Sequence, residues 1–228
     1  MKTMKIVDLK NYLENIYKKT KDEMLVEETV RRRIIFLLNK ASVITNLSTS
    51  DLLSRLVKSN DQTIEALESF LAELRSIVWL DDFGITKIVP LQAGKNRQPD
   101  FTAEYSGQKC AVEVFCLTQA HEQQKNSTLN VYVNFDPNCN GSKFGRDFMS
   151  KAAQKKAQLD SIDAKIKILL CVINSQPVIC LNTKDEIHSH AKLLYDKLQW
   201  GQGYHIGLLT GVKVNGKASN TIYPNLSE

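Results

Sequence analysis

Residues 98–117, QPDFTAEYSGQKCAVEVFCL, decide the fold of this chain, because they read as two short strands joined by a tight turn. Pro99 and Asp100 open the first strand, and residues 101–105 continue it. The Ser-Gly pair at 106–107 is typical of a turn. The second strand is predicted over about residues 109–117. The stretch therefore predicts a β-hairpin at the centre of the fold.

The second strand of this hairpin is apolar on both faces except for one carboxylate. Side chains two residues apart share a face of a strand. One face carries Cys110, Val112, Val114 and Cys116, and the other carries Ala111, Glu113, Phe115 and Leu117. This pattern is typical of a strand buried on both sides. A buried carboxylate is costly without a partner or a metal, so we expect a compensating group at Glu113, with Asp100 as its neighbouring acid.

Helical periodicity dominates the chain before this hairpin. Apolar residues recur at helical spacing, and no Gly or Pro occurs before Gly84, which predicts short loops. The predicted helices cover residues 6–17, 27–39, 48–58 and 61–78. We therefore expect a helical N-terminal region over residues 1–60 and an α/β core over residues 61–228.

Strands and helices are predicted to alternate in the rest of the chain. Residues 79–91 are interpreted as a strand pair, or a strand and a turn, around Asp81–Gly84. Further strands are predicted at 130–135, 165–173, 177–181, 205–214 and 218–223, and helices at 142–162 and 183–200. Asn215 and Gly216 predict a hairpin turn between the last two strands. The expected fold class is α/β (α+β), with a mixed β-sheet core flanked by helices.

The composition is that of an ordinary globular protein. Of the 228 residues, 43% are hydrophobic and 24% are charged, and the net charge is +5. No apolar run reaches the ~20 residues that a membrane helix needs, and the basic start lacks the apolar centre of a signal peptide. The five Cys residues show no disulfide spacing. We expect a cytoplasmic protein with no membrane partner.

The pair Pro99–Asp100, followed after twelve residues by Glu113, Val114 and Phe115, resembles the PD-(D/E)XK nuclease superfamily. The resemblance covers roughly residues 60–175 and implies a restriction-endonuclease-like fold. It also implies a metal-dependent DNA endonuclease, a phosphodiester hydrolase active in restriction, defence or repair. Asp100 and Glu113 would ligate Mg²⁺ (or Mn²⁺). Phe115 stands where the family's pattern has Lys, so either the lysine has moved or the site is inactive.

Lys155 is the candidate for the displaced lysine. At ~100° per residue, it falls within an otherwise apolar face of the predicted helix, formed by Phe144, Phe148, Ala152, Leu159 and Ile162. We expect Lys155, ahead of Lys151 and Lys156, to reach Asp100 and Glu113. The alternative is that its long stem passes the apolar neighbours and reaches water.

A third acid is expected on the helix before the sheet, where members of the superfamily often carry an additional Glu. Glu68 lies at the edge of the apolar stripe of that helix, whereas Glu73 points nearly opposite, so Glu68 is the candidate. The alternative for Glu68 is an exposed carboxylate paired with a nearby base, which contributes little.

The expected partner is DNA. Lys95, Arg97, Lys143 and Arg146 are the candidate phosphate contacts, because cations supply affinity for nucleic acid that does not depend on base sequence. The run 31–33 of three Arg is interpreted as a solvated helix face. A homodimer is compatible with the function, since making double-strand breaks usually calls for two sites.

Two other functions are compatible with the sequence. A catalytically inactive nuclease-fold module could bind nucleic acid or a protein partner, and Phe115 in the lysine position favours it. An interaction protein, in which the N-terminal helices mediate assembly and the sheet is only a scaffold, predicts that Asp100 and Glu113 are far apart or each paired with a base.

Overall fold

A computed structural model describes residues 6–21, 23–57, 63–91, 98–117, 143–173, 184–214 and 217–227. Within them lie six α-helices, one short 3-10 helix and one six-stranded sheet. The helices are α1 Ile6–Thr20, α2 Glu28–Thr45, α3 Thr49–Val57, α4 Ile64–Asp82, α5 Lys143–Asp160 and α6 Lys184–Leu198, and the 3-10 helix is Glu23–Val26. The strands are β1 Thr86–Pro90, β2 Phe101–Tyr105, β3 Gln108–Leu117, β4 Ile166–Ile173, β5 Tyr204–Val214 and β6 Lys217–Tyr223.

The sheet is mixed, as the sequence predicts. Its strands follow chain order from β1 to β6. Strands β3, β4 and β5 run parallel to one another. The pairs β1–β2, β2–β3 and β5–β6 are antiparallel. Parallel neighbours need a long crossover connection, and α5 and α6 lie in the two crossovers. No helix within the described ranges is both long and apolar enough to cross a membrane.

Two hydrophobic clusters cover the two faces of the sheet. One joins α1 to α4 with one face of β2, β3 and β4. The other joins α5 and α6 with the opposite face of β3, β4 and β5. The helices of the first 57 residues therefore share a continuous core with α4 and the sheet. Successive side chains of β3 point in turn to this core and to the core beneath α5 and α6.

The central strand β3 is buried on both faces, which confirms the interpretation of its sequence. Cys110, Val112, Val114 and Cys116 belong to the α4 side. Ala111 and Phe115 belong to the α5 side, where Glu113 also lies, and the side chain of Glu113 is 0% exposed. The predicted hairpin is present in register, with Phe101 opposite Val112. The burial that the two apolar faces indicated therefore surrounds this single carboxylate.

The prediction for residues 79–91 was wrong in part. The helix α4 continues through Trp79 to Asp82, and only one strand, β1, follows it. Leu80 remains buried in the core, which keeps the helix regular for one more turn. Gly84 then adopts a φ of +88°, a left-handed conformation that glycine reaches without strain. The strands predicted at 130–135 and 177–181, and the turn at 215–216, lie outside the described residues.

Candidate functional site

Asp100 and Glu113 lie side by side where the ladder between β2 and β3 ends. Phe101 pairs with Val112 in this antiparallel ladder. Asp100, which precedes Phe101, therefore lies next to Glu113, which follows Val112. The Oδ2 atom of Asp100 accepts a hydrogen bond of 2.8 Å from the backbone N–H of Val114. The carboxylate thus takes the position of the backbone acceptor that a longer β2 would have offered.

Lys155 reaches this pair from α5. Its Nζ donates a hydrogen bond to Oε1 of Glu113, and its side chain is 28% exposed. Phe148, Ala152 and Leu159 of the same helix are fully buried against the sheet, and this burial turns the Lys155 side of α5 towards β3. Burial raises the pKa of Asp100, and the charge of Lys155 opposes this rise. The lysine therefore acts on both carboxylates, and it is not directed to solvent alone.

The second oxygen of Glu113 is the unusual atom of the site. Oε2 is buried and finds no hydrogen-bond partner among the described residues. Burial, followed by the charge of Asp100, raises the pKa of Glu113 to about 8, although Lys155 acts in the opposite direction. Burial also raises the pKa of Asp100, against the hydrogen bond from Val114. A buried acceptor left unsatisfied costs free energy, so the pair is suited to one more cation.

A second ion pair, between Arg55 and Glu73, lies beside Asp100. Nε and Nη2 of Arg55 contact Oε2 of Glu73 at 3.0 and 2.8 Å, and Nη1 donates to the Leu91 carbonyl at 2.6 Å. Burial, followed by the charge of Asp100, raises the pKa of Glu73 to about 7. Burial raises the pKa of both Glu73 and Asp100, and the charge of Arg55 opposes both rises. The charge of Asp100 therefore acts on Glu73 of α4.

Glu68, the acid expected from the sequence, has a buried Oε2 and acts on Cys116 of β3, and its role as a third acid stays a prediction. Burial and then the charge of Glu68 raise the pKa of the Cys116 thiol to about 12. The selection assumed one apolar stripe on α4, but this helix packs between the sheet and the other N-terminal helices and buries residues on more than one side. Those residues are Leu67, Phe70, Ala72, Leu74, Ser76, Ile77 and Leu80. No local pattern relates Arg55 to Glu73, since 18 residues separate them.

The other candidate cations are either bound to groups outside the carboxylate pair or have side chains that the structure does not describe. Lys151 donates to the Cys116 carbonyl at 2.8 Å, and Lys156 binds Asp160 and the Tyr204 hydroxyl at 2.6 and 3.0 Å. Arg31 and Arg32 form ion pairs with an exposed Glu28, in line with a solvated face. Lys95 and Arg97 lie outside the described residues, and Lys143 and Arg146 are in the first turn of α5, where the side chains are not described.

Phe115 cannot be exchanged for the lysine of the family's pattern within this core. Its side chain is only 5% exposed, and its ring lies 5.5 Å from the ring of Phe148, centroid to centroid. A lysine at this position would place its charge against the ring of Phe148, in the core between α5 and the sheet, at a large desolvation cost. In this chain, the position serves the core.

The donor set suits a hard divalent cation. The described part of the chain contains no group of three or more His, Cys, Asp or Glu side chains arranged to hold a metal, so the site offers the pair Asp100 and Glu113. Mg²⁺ prefers oxygen ligands, retains several waters and is commonly bound through one or two carboxylates. The buried Oε2 of Glu113 is a free acceptor of this kind. The residues fit the ion.

No protein-family model, no curated protein and no solved structure matches this chain. The geometry of Asp100, Glu113 and Lys155 must therefore carry any functional argument.

Proposed function

We propose that this protein is a metal-dependent DNA endonuclease with a restriction-endonuclease-like core, which hydrolyses phosphodiester bonds. One observation carries the proposal: Lys155 reaches from α5 onto Glu113, beside Asp100. The two carboxylates and the cation that such chemistry needs are brought together, although Phe115 occupies the place of the motif lysine. The order of hairpin, crossover helix and parallel strand β4 also supports the proposal.

The roles follow from the contacts. Asp100 and Glu113 would hold Mg²⁺ (or Mn²⁺), which when bound activates a water molecule and neutralises charge on the phosphoryl oxygens. The N–H of Val114 fixes the orientation of the Asp100 carboxylate. Lys155 would turn its ammonium group to a phosphate oxygen, where a preorganised cation stabilises the negative charge that develops in the transition state. Arg55 holds Glu73 next to Asp100.

A second candidate is an inactive module on the same fold, which binds nucleic acid or a protein. It is favoured by the pairing of Glu113 with Lys155 and of Glu73 with Arg55, since these ion pairs balance much of the charge without a metal. The third function considered, a pure interaction protein, allowed two arrangements. Asp100 and Glu113 are neighbours, which leaves only the arrangement in which each is paired with a base.

Cleavage of plasmid and single-stranded DNA with Mg²⁺ or Mn²⁺ tests the proposal. We expect metal-dependent cleavage by the wild type, and its loss in Glu113→Ala. Lys155→Met should lower the rate by about 10²–10³-fold, because it removes one charge that stabilises the transition state. Lys156→Met is the matched control, since the neighbouring lysine binds Asp160, and its activity should stay close to that of the wild type.

The outcomes separate the candidates. Cleavage that is lost in Glu113→Ala but kept in Lys155→Met contradicts the role of Lys155 and leaves the nuclease intact. A wild type that cleaves no substrate but binds DNA in a salt-sensitive manner is the inactive module. Circular dichroism of each variant checks that the loss of activity does not come from unfolding.

A further inference from the structure

The carboxyl half of β3 extends past the end of its neighbour β2. The first residue of β2, Phe101, pairs with Val112, so residues 113–117 continue without a β2 partner opposite them. Backbone groups of residues two apart point to the same side of a strand. Asp100 accepts from the N–H of Val114, and Lys151 donates to the carbonyl of Cys116 at 2.8 Å. Side chains therefore bind two of the backbone groups at this edge of β3.

Lys151 and Lys155 follow this edge together. They are four residues apart on α5, so they lie on one face of the helix with an axial separation of ~6 Å. Lys155 contacts Glu113, and Lys151 contacts the backbone three residues further along β3. The two lysines thus lie in a row beside the carboxyl half of β3, and both of their ammonium groups contact that strand.

Lys151 is held in place and still exposed. The Cys116 carbonyl takes one of the three donors of its ammonium group, and the residue is exposed to solvent. A lysine with a fixed position loses less conformational entropy when it binds a ligand than one with a free stem. The alternative is a purely structural role, in which Lys151 only satisfies the Cys116 carbonyl at the open edge of β3.

We propose that Lys151 forms a phosphate-binding subsite, which holds the backbone phosphate next to the one at Asp100, Glu113 and Lys155. The ligand is the phosphodiester backbone of DNA, bound without base specificity. This inference rests on the proposed function and extends it. It gives the direction in which the DNA strand leaves the carboxylate pair, which is along β3 towards the carboxyl end of β3.

Binding of a fluorescent DNA duplex in EDTA, followed by anisotropy over salt concentrations from about 50 to 200 mM, tests the subsite without cleavage. Loss of one phosphate contact in Lys151→Gln should weaken binding about eightfold near 0.1 M salt and reduce the log–log salt slope by about 0.9. Lys109→Gln is the matched control, because the same charge is removed from an exposed residue near the amino end of β3.

We expect Lys109→Gln to bind like the wild type, and Lys151→Arg to restore most of the affinity because it keeps the charge. If Lys151→Gln has the affinity and slope of Lys109→Gln, Lys151 is only an edge cap and the inference is wrong. A wild type that fails to bind DNA in EDTA also overturns it. A wild type that binds through Lys151 but never cleaves leaves the subsite standing and refutes the nuclease.

Discussion

Replacing Glu113 by Gln removes a fully buried charge from the centre of the sheet while keeping the shape of the side chain. In the wild type, Lys155 binds one carboxylate oxygen, and the other has no hydrogen-bond partner in the described part of the chain. Gln retains an oxygen for Lys155 and offers its amide to Asp100. We therefore expect Glu113→Gln to stabilise the metal-free protein, at the expense of metal binding.

The magnitude and its sign follow from the pKa of Glu113. Burial and the charge of Asp100 raise it from an ordinary value of 4.5 to about 8. Between these pH values the folded protein holds a proton that the unfolded chain has lost, so the free energy of unfolding falls as the pH rises. A tenfold change in proton affinity is worth ~1.4 kcal/mol, which limits the fall to about 5 kcal/mol. Since local relaxation around a buried charge offsets part of it, we expect about 2–3 kcal/mol.

Urea unfolding in EDTA measures this difference directly. Near pH 5, protonated Glu113 resembles Gln, and the two proteins should have about the same free energy of unfolding. Near pH 9, Glu113→Gln should be more stable by about 2–3 kcal/mol. The control is Glu104→Gln on β2, whose surface carboxylate binds Lys87 at 2.7 Å and is 37% exposed. It should change stability by less than ~1 kcal/mol, without this pH trend.

Added Mg²⁺ supplies the second half of the test. It should raise the unfolding midpoint of the wild type, since a ligand of the folded state stabilises that state, and it should leave Glu113→Gln unchanged. A wild type that is at least as stable as Glu113→Gln near pH 9 in EDTA would refute the reasoning. The ion pair with Lys155 would then outweigh the cost of burial, and the carboxylate would not be poised for a cation.

Two further variants test the surroundings of the site. Phe115→Lys should lose about 3–5 kcal/mol of stability, because it replaces the packing on Phe148 with a buried charge; a folded variant with increased cleavage would contradict this. Although burial opposes it, hydrogen bonds from Lys156 and Lys167 lower the pKa of Asp160. Asp160→Asn should therefore be less stable by ~1 kcal/mol at neutral pH, discounted for its exposure. The difference should vanish as acid protonates Asp160 in thermal unfolding scans, and a loss that is constant with pH would exclude the ionic cause.

Local patterns were sufficient for the elements around the site. Apolar side chains on both faces of residues 109–117 predict a strand buried on both sides, and the structure confirms it. The apolar stripe of α5 predicts which side of the helix faces the sheet, and Lys155 lies on that side, in contact with Glu113. Both inferences succeed because the side-chain direction relative to its own strand or helix depends only on backbone periodicity. The continuation of α4 to Asp82 was missed because burial by distant residues outweighed the turn signals near Gly84.

Only the tertiary structure showed that the charge of Asp100 acts on Glu73 of α4. The helical wheel placed Glu68 at the edge of the core and Glu73 away from it, but α4 is covered on more than one side. Arg55 arrives from α3 and holds Glu73 beside Asp100. Periodicity predicts the direction of a side chain relative to its own helix. It does not predict which other elements pack around that helix. The sequence therefore determined the carboxylate pair and its lysine, whereas the packing of the N-terminal helices determined the ion pair that stands next to them.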